Sequence, residues 1–313
     1  MNLPEMPKFS VSIITYNQQD LIKRAIESLL VQKEWIYEIV ICDDCSTDNN
    51  WEVILSYRDK HPDIIKPFRN EKNLGIYGNI EKTWTLVSGD IIISMAGDDT
   101  LKDGIFEHAY KAIVDQKIEY IGKPISIFCN SETKYPGGRL LRHRINKRLL
   151  NKKYNPISLK IRWLISHRTS FSSITLVKKY KPVPKDIGMF CDELIDVQRV
   201  LYSEHIYYFD FIGSTYYSHI GVSVTNKAGY VESMELTDKK MRKLLSLNKK
   251  DLLYLDYLHH RRELLYVNKN FKNFFNTLKY YIISRDLKYG IMGLSIMRVI
   301  LDIRRLLFVK IQK

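Results

Sequence analysis

The chain has 313 residues, 45% of them hydrophobic, and a formal net charge of +14. This hydrophobic content excludes a mainly disordered protein, and the length allows one large domain or two small ones. Four cysteines are too few for a disulfide scaffold, no apolar run is long enough to span a bilayer, and the N-terminus lacks a basic-then-apolar leader, so we expect a protein made and kept in the cytosol.

The first part of the chain alternates between short apolar runs and helical spacing. Strands are predicted at 11–17, 37–44, 64–70 and 90–99, and the helices that follow them at about 21–30, 50–60, 76–87 and 100–114. This alternation predicts a mostly parallel sheet with helices on both faces. In such sheets ligands bind beyond the carboxyl ends of the strands.

Beyond residue 134 the pattern weakens. The turn-rich basic stretch 134–156 predicts a loop or short helices. A strand is predicted at 170–177, a helix at 189–204 and one or two strands within 206–221. Residues 232–313 are predicted to be mostly helical.

The positive charge is concentrated in two segments. Residues 134–185 hold fifteen Lys and Arg and no acidic residue, and residues 238–313 hold eighteen against six acidic residues. The remainder therefore carries about −13. An acidic half joined to basic segments disfavours a nucleic-acid module and favours an anionic surface or an anionic substrate as partner.

Polar residues follow each of the first four predicted strands. They are Thr15, Tyr16 and Asn17, then Asp43 and Asp44, then Asn73 and Gly75, and finally Asp98 and Asp99. Because parallel strands end at one edge of a sheet, we expect these residues to share a rim. A nucleotide there would meet carboxylates for its ribose or base, and a metal ion for its phosphates.

The segments VSIITYN, ICDDCSTD, NLGIYGNI and GDIIISMAGDD resemble, in this order, the nucleotide-sugar half of the inverting glycosyltransferases of family 2. The resemblance is close over 9–105 and looser to about 225. It implies the GT-A fold, a Rossmann-like α/β fold with a mixed, mostly parallel sheet flanked by helices. Residues 1–225 would form this domain, with nucleotide-sugar binding in 1–105 and the acceptor and catalytic half in 106–225, and 226–313 would form a basic helical extension.

The resemblance implies an enzyme that moves a sugar, with inversion, from a nucleotide-diphosphate donor to a hydroxyl group. A UDP-sugar is the favoured donor, and a saccharide or lipid-linked glycan is the acceptor. A composition rich in Lys, Asn and Ile is compatible with a bacterial enzyme of surface polysaccharide synthesis.

The resemblance also implies a metal site. Asp98 and Asp99 would hold Mn²⁺ or Mg²⁺ against the donor diphosphate, because hard divalent cations prefer carboxylate and phosphate oxygens. His219 would reach the metal or the diphosphate. Gly97-Asp98-Asp99 has one carboxylate fewer than the family's Asp-x-Asp-Asp. The alternatives are a solvated cap of the following helix for the acidic pair and a structural role for His219.

The nucleoside contacts implied by the resemblance lie on the first three strand ends. Asp43 and Asp44 would lie near the uracil or ribose, although the same residues also form an Asx turn, which is compatible with binding. Asn73 and Gly75 belong to the same binding set. Thr15, Tyr16 and Asn17 would line the base pocket, with Tyr16 either stacking on the base or capping the core.

The catalytic base must come from another segment. Inversion by direct displacement needs a carboxylate that removes the proton of the acceptor hydroxyl. The stretch CDELIDVQR resembles the family's Glu-Asp motif, in which the acid lies six residues before an arginine. Counting back from Arg199 gives Glu193, with Asp192 beside it. The family usually has aspartate there, so Glu193 is preferred and Asp192 stays open; an acidic first helical turn is the structural alternative.

Two basic segments have open interpretations. Arg142, Arg144, Lys147 and Arg148 could close over the diphosphate or could face anionic lipid. The segment 289–313 has a basic amphipathic pattern, which favours peripheral attachment to the inner face of a membrane. A packed helical subdomain or an interface between copies of the chain is equally compatible with this pattern.

Two other function classes fit the sequence less well. A sugar nucleotidyltransferase shares the layered architecture, but it normally has a glycine-rich, basic loop after the first strand, where this chain has TYNQQD. A non-catalytic basic scaffold on a transferase fold is disfavoured by the intact residues Asp44, Asp98, Asp99 and Glu193.

Overall fold

A computed structural model describes residues 5–144, 169–182, 184, 191–218, 220, 230–262, 276 and 279. His219, Lys147, Arg148 and the segment 289–313 lie outside these residues, so their roles stay predictions. The chain divides into two compact units, Met1–Lys227 and Ala228–Lys313. The functional division at residue 105 also stays a prediction.

The described part of the first unit is built on one mixed sheet. Its strands are β1 (Phe9–Thr15), β2 (Ile36–Asp43), β3 (Ile65–Arg69), β4 (Ile91–Ala96), β5 (Thr100–Leu101), β6 (Ile125–Lys134), β7 (Leu140–His143), β8 (Thr169–Ser173) and β9 (His205–Tyr217). The order is β3-β2-β1-β4-β8-β6-β9-β5, with β7 paired to β6. Strands β1 to β4 are parallel, as predicted, and β8 runs antiparallel to β4.

Helices cover the sheet. Those of the first unit are α1 (Ile22–Leu30), α2 (Asn50–Lys60), α3 (Gly75–Leu86), α4 (Ile105–Asp115), α5 (Ile174–Val177) and α6 (Cys191–Tyr202). Taken by itself, the described part of the second unit consists of α7 (Tyr230–Leu244) and α8 (Lys249–Arg262), which are joined by an ion pair from Arg242 to Asp256 at 2.6 Å. Within the described residues, every helix is too short or too polar to traverse a bilayer.

The apolar run of β4 is continuous because both faces of this strand are buried. Ile91 and Ile93 belong to the core cluster that also contains residues of α1 and α4, whereas Ile92 packs with Val87 and Val177 on the other face. Each such side chain contributes about 1.5–3 kcal/mol by leaving water. The uninterrupted apolar run of this strand therefore follows from a sheet with a core on both faces.

The register aligns three strand ends at one edge. Thr15, the last residue of β1, lies opposite Asp43 at the end of β2, and Ile14 lies opposite Ala96 at the end of β4. The amide of Asp44 donates to the carbonyl oxygen of Thr15 at 2.9 Å. The predicted convergence of the strand ends on one rim is therefore present in the fold.

The prediction of a helix over 100–114 was wrong at its start. Thr100 and Leu101 form the short strand β5, which pairs antiparallel with β9, and the helix α4 begins only at Ile105. Asp98 and Asp99 are therefore separated from the helix and do not cap it. The pairing partner of β5 lies more than a hundred residues away in the chain, so no local sequence pattern predicts this strand.

Three further elements differ from the predictions. In the described part of 134–156, residues Pro136–Gly138 form a short 3₁₀ helix, as one of the two predictions allowed, but Leu140–His143 form the unpredicted strand β7, which makes a hairpin with β6. The stretch 170–177 is a strand only to Ser173, whose side-chain oxygen accepts a hydrogen bond from the amide of Leu176 at 3.2 Å and so caps α5. Strand β6 was not predicted. The prediction of one or two strands within 206–221 is confirmed by the single strand β9.

Candidate functional site

Asp43 organises the turn after β2 from inside the protein. Its carboxylate is fully buried and accepts hydrogen bonds from the amide of Ser46 at 3.2 Å, from the hydroxyl of Ser46, and from Asn50 Nδ2 at 3.1 Å. Arg69 Nε lies 3.4 Å from its Oδ2. With both oxygens engaged, this carboxylate shapes the loop, and its predicted contact with a nucleoside stays a prediction.

Asp44 is bonded differently. It is also buried, but the hydrogen bonds from Asn70 Nδ2 and from the Leu74 amide, each 2.8 Å long, both end on Oδ1. These bonds join the second and third strand ends. They leave Oδ2 as the oxygen that could meet a hydroxyl or a base edge, so Asp44 is the better candidate of the pair.

Asn17 ties the first strand end to the second. It has a left-handed backbone with φ of 52°, its amide donates to Ser46 Oγ at 2.9 Å, and its Oδ1 accepts from the Thr47 amide at 2.8 Å. The neighbouring Tyr16 is 39% exposed, so its ring is available at the rim. Thr15 is buried and donates to Gln18 Oε1 at 2.9 Å, so it supports the rim from within, and its predicted place in the base pocket stays a prediction.

The third strand end enters α3 through a turn that requires glycine. Asn73 Oδ1 accepts a hydrogen bond from the amide of Gly75 at 2.9 Å. Gly75 has φ of +76°, and a side chain built there would meet no atom within 4 Å, so the requirement for glycine lies in the backbone alone. Asn73 is exposed beside this turn.

A cavity of about 1270 Å³ runs alongside α3 from Asn73 and Gly75 to Asp90. Among the residues that the structure describes, those of the third strand end are the part of the rim that lines it. The aromatic rings of Trp84 and Tyr180, 5.3 Å apart, form part of its wall.

Asp98 and Asp99 follow β4 directly and are half-buried. Burial raises the pKa of Asp98, and burial together with the adjacent Asp98 charge raises the pKa of Asp99 to about 7. The amide of Tyr217, at the end of β9, donates to Asp99 Oδ1 at 3.3 Å. The pair therefore carries like charges that the surrounding residues compensate only in part.

Gly97 sets the close approach of β4 to the end of β1. Its amide donates to the Ile14 carbonyl at 2.9 Å, and a Cβ there would lie 2.6 Å from Gln18 Oε1 and 2.9 Å from Thr15 Oγ1. Any side chain at 97 would push these polar groups away from the acidic pair.

The pair has the donor chemistry of a divalent-cation site but not a complete ligand set. Among the described residues, no group of three or more His, Cys, Asp or Glu side chains is placed to hold a metal ion. Two adjacent, partly desolvated carboxylates fit Mn²⁺ or Mg²⁺ when other oxygens complete the coordination. Phosphate oxygens of a bound nucleotide are such ligands.

The two candidate bases lie in the first turn of α6. Asp192 is exposed, and the side chain of Glu193 is outside the described set, so their relative rank stays open. Arg199 is held inside the fold by Asp196 on the same helix and by Ser172 Oγ at 3.2 Å on β8. Because β8 pairs with β4, this contact fixes α6 to the strand next to the one that carries the acidic pair.

The basic side chains near β7 are partly engaged within the protein. Arg142 Nε lies 3.8 Å from Glu132, a buried carboxylate that also binds Lys102 Nζ at 2.6 Å. Burial would raise the pKa of Glu132, but the hydrogen bonds from Lys102 and Thr215 and the two cations lower it. Arg142 thus has a partner of its own, and its predicted contact with diphosphate or lipid remains a prediction, as does that of Arg144.

Two residues at the acidic pair were missed in the sequence. Arg24, on α1, donates to the main-chain oxygen of Asp98 at 2.5 Å, and its guanidinium carbon lies 3.5 Å from the centre of the Tyr217 ring. Arg24 lies 74 residues before Asp98, and Tyr217 lies 118 residues after Asp99. The helical spacing of α1 shows only that Arg24 is off the apolar face.

The family comparison agrees with this arrangement. The sequence model described as Glycosyl transferase family 2 matches residues 10–179, which include β1 to β8 and the whole rim. The chain belongs to glycosyl transferase family 2. The match covers all the rim residues named above and stops before α6.

Individual relatives give the same family and fold. A Campylobacter jejuni protein named GalNAc(5)-diNAcBac-PP-undecaprenol beta-1,3-glucosyltransferase is 35% identical over 100 residues, which cover 32% of each chain. The curated relatives are matched over 28 to 35% of their own length.

Two solved structures share the fold. Staphylococcus aureus TarS 1-349 in complex with UDP-GlcNAc has a TM-score of 0.59 at 18% identity, covering 87% of this family 2 chain and 79% of TarS. The mannosyltransferase PcManGT from Pyrobaculum calidifontis, solved with GDP-Man and Mn²⁺, has a TM-score of 0.54 at 13% identity, covering 89% of this chain and 74% of PcManGT. The α/β architecture is therefore GT-A-like.

Proposed function

We propose that the protein is an inverting, metal-dependent glycosyltransferase that transfers one sugar from a nucleotide-diphosphate donor, with a UDP-sugar favoured, to a hydroxyl of a saccharide or lipid-linked glycan. The observation that carries this proposal is the rim itself. It gathers Asp44, the exposed ring of Tyr16 and the pair Asp98–Asp99 from three adjacent parallel strands of a family 2 fold.

Each of these groups has a role that suits its surroundings. Tyr16 offers an aromatic face to the base, and Asp44 Oδ2 offers an acceptor to the base edge or ribose. Asp98 and Asp99 would hold Mn²⁺ or Mg²⁺, which neutralises the charge that builds on the leaving diphosphate. Asp43 and Asn17 keep the turn in shape through their internal hydrogen bonds.

The acceptor hydroxyl must lose its proton as it attacks the anomeric carbon from the face opposite the leaving diphosphate. A carboxylate in the first turn of α6 would take that proton, with Glu193 preferred over Asp192. The donor's glycosidic C–O bond breaks as the new bond forms, so the configuration inverts.

The acceptor class is supported by one relative and by charge. The Campylobacter jejuni relative carries an undecaprenol-linked acceptor in its name. The basic segments 134–185 and 238–313 suit a surface of anionic lipid, which favours a peripheral position on the inner face of a bacterial membrane and a place in surface polysaccharide synthesis.

A panel of nucleotide sugars tests the proposal without knowledge of the acceptor. The protein is incubated with each donor and Mn²⁺, and slow hydrolysis to the nucleoside diphosphate is scored. We expect one donor class to be hydrolysed, with loss of activity in EDTA and in Asp99→Asn, while Lys23→Met on exposed α1 surface behaves as wild type. Hydrolysis unaffected by EDTA and by Asp99→Asn would refute the metal-dependent transfer. Release of pyrophosphate from UTP and a sugar phosphate would instead identify a nucleotidyltransferase.

A further inference from the structure

Arg24 is bonded to Asp98 and is linked to Asp99 through Tyr217. It donates to the main-chain oxygen of Asp98 at 2.5 Å, and its guanidinium lies flat enough on Tyr217 to bring its central carbon 3.5 Å from the ring centre. The amide of the same Tyr217 donates to Asp99 Oδ1 at 3.3 Å. Arg24 thus contacts the main chain of Asp98 and also contacts Tyr217, the residue that is bonded to Asp99.

The positive charge of Arg24 is only weakly compensated. Its Nε is buried and has no hydrogen-bond partner among the described residues. Its hydrogen bond to Asp98 goes to the peptide oxygen and not to the carboxylate. A guanidinium stays charged at all relevant pH values, and in a partly desolvated place its field extends further than in water.

The field of this guanidinium acts on both carboxylates. Its terminal nitrogen is bonded to the main-chain oxygen of Asp98, and its central carbon lies over the ring of Tyr217, whose amide donates to Asp99 Oδ1. A positive charge that favours two carboxylates in their anionic form also repels a second cation that approaches them.

We propose that Arg24 is a built-in counter-cation of the acidic pair, which weakens the affinity of the pair for a free divalent ion and so favours an ion that arrives with the anionic diphosphate of the donor. This inference rests on the proposed function, because it takes Asp98 and Asp99 as the metal ligands. The residue that would tune the metal affinity, Arg24, lies on α1 and outside the recognised motifs.

The direction of the effect follows from the charges. When both carboxylates are ionised, the bare pair carries two negative charges, and Arg24 offsets one of them before any metal binds. Removing the guanidinium should therefore strengthen binding of the free ion by on the order of tenfold. When UDP supplies further negative charge, Arg24 attracts the nucleotide as well as repelling the metal, so the gain should be smaller.

The test measures binding of Mn²⁺ alone to the full chain, by the loss of the free-ion signal in electron paramagnetic resonance, with and without UDP. The variants are Arg24→Met, which removes the charge, Arg24→Lys, which keeps it, and Lys23→Met, which removes a neighbouring exposed charge. Arg24→Gln serves as a second neutral variant if the methionine variant does not fold. Melting temperatures show which variants are folded.

We expect Arg24→Met to bind free Mn²⁺ about tenfold more tightly than wild type, with a smaller gain when UDP is present. Arg24→Lys and Lys23→Met should stay within about twofold of wild type, since the first keeps the charge and the second removes one from a solvated surface.

The opposing outcomes separate this inference from the proposed function. Weaker or unchanged Mn²⁺ binding in the folded Arg24→Met variant would overturn the counter-cation role, and a parallel loss in Arg24→Lys would make Arg24 a positioning residue. Mn²⁺ binding that Asp99→Asn leaves unchanged would overturn the metal site itself. Binding that Asp99→Asn lowers but Arg24→Met does not alter would overturn only the role of Arg24.

Discussion

Asparagine at position 43 should destabilise the protein strongly, whereas asparagine at position 44 should remove nucleotide binding from a protein that stays folded. The two carboxylates are adjacent in sequence, and both are buried. They differ in their bonds. Asp43 uses both oxygens, whereas the bonds to Asp44 end on Oδ1, which an asparagine also provides.

The expected magnitude follows from the donors around Asp43. An asparagine there keeps one oxygen, but its NH₂ group faces N–H donors that it cannot satisfy, from the Ser46 amide and Arg69. A hydrogen bond to a charged group contributes about 1.5–3 kcal/mol, and an unsatisfied buried donor costs about 1–3 kcal/mol, so Asp43→Asn should cost about 3–5 kcal/mol. Asp44→Asn, which keeps its acceptor, should cost about 1 kcal/mol or less.

Two measurements test this difference. Urea unfolding followed by tryptophan fluorescence gives the free energy of unfolding, and Trp51 on α2 lies near Arg69 as a reporter of the turn. The rise in melting temperature on adding UDP and Mn²⁺ gives nucleotide binding. Equal losses of stability in the two variants, or a UDP response that survives in Asp44→Asn, would refute the division of roles.

The remaining predictions concern the amino end of the sheet, the base and one turn. Burial alone would raise the pKa of Glu38, but hydrogen bonds, first among them the one from Lys66, lower this pKa below 4.5. The contribution of Glu38 to the stability of the folded protein is therefore present above that pH and is lost as the pH falls through the lowered folded pKa. Urea titrations should therefore show a weaker acid dependence for Glu38→Gln than for wild type. One of Glu193→Gln and Asp192→Asn removes the catalytic base, and in that variant the kcat of transfer or donor hydrolysis should fall by about 10²–10⁴. In the other variant kcat should stay near the wild-type value. Gly75→Ala should cost about 1–2 kcal/mol in unfolding free energy, from backbone strain alone; a cost near zero would contradict that strain.

The elements up to Ala96 follow from local physics, and the sequence predicts them closely. Strand β4 is apolar without interruption because it is buried on both faces, and α1 has apolar residues at helical spacing because one face packs on the core. The predicted strand 37–44 differs from β2 by one residue at each end. Since parallel strands fix the position of their carboxyl ends, the rim could be predicted together with them.

The pattern fails where a partner is distant. Strand β5 has two residues and exists only because β9 pairs with it, and the hairpin of β6 and β7 lies in a basic stretch that resembles a loop. Neither element has enough residues to show a period of its own. The second half of the sheet is mixed rather than parallel for the same reason, because its strand order is set by contacts far apart in the chain.

The acidic pair shows how these two kinds of information combine. Its carboxylates are visible in the sequence, and their like charge predicts a need for a cation. The recognisable motif predicts that this cation is a divalent metal ion. The fold places a second cation, Arg24, beside the pair, and the spacing of apolar residues in its helix α1 does not predict that contact. Under the proposed function, the chemistry of the pair depends on the balance between the fixed charge of Arg24 and the exchangeable charge of the divalent ion. That balance depends on the pairing of β1 with β4 and on the hydrogen bond from the end of β9 to Asp99, and no short segment of the sequence contains all of these residues.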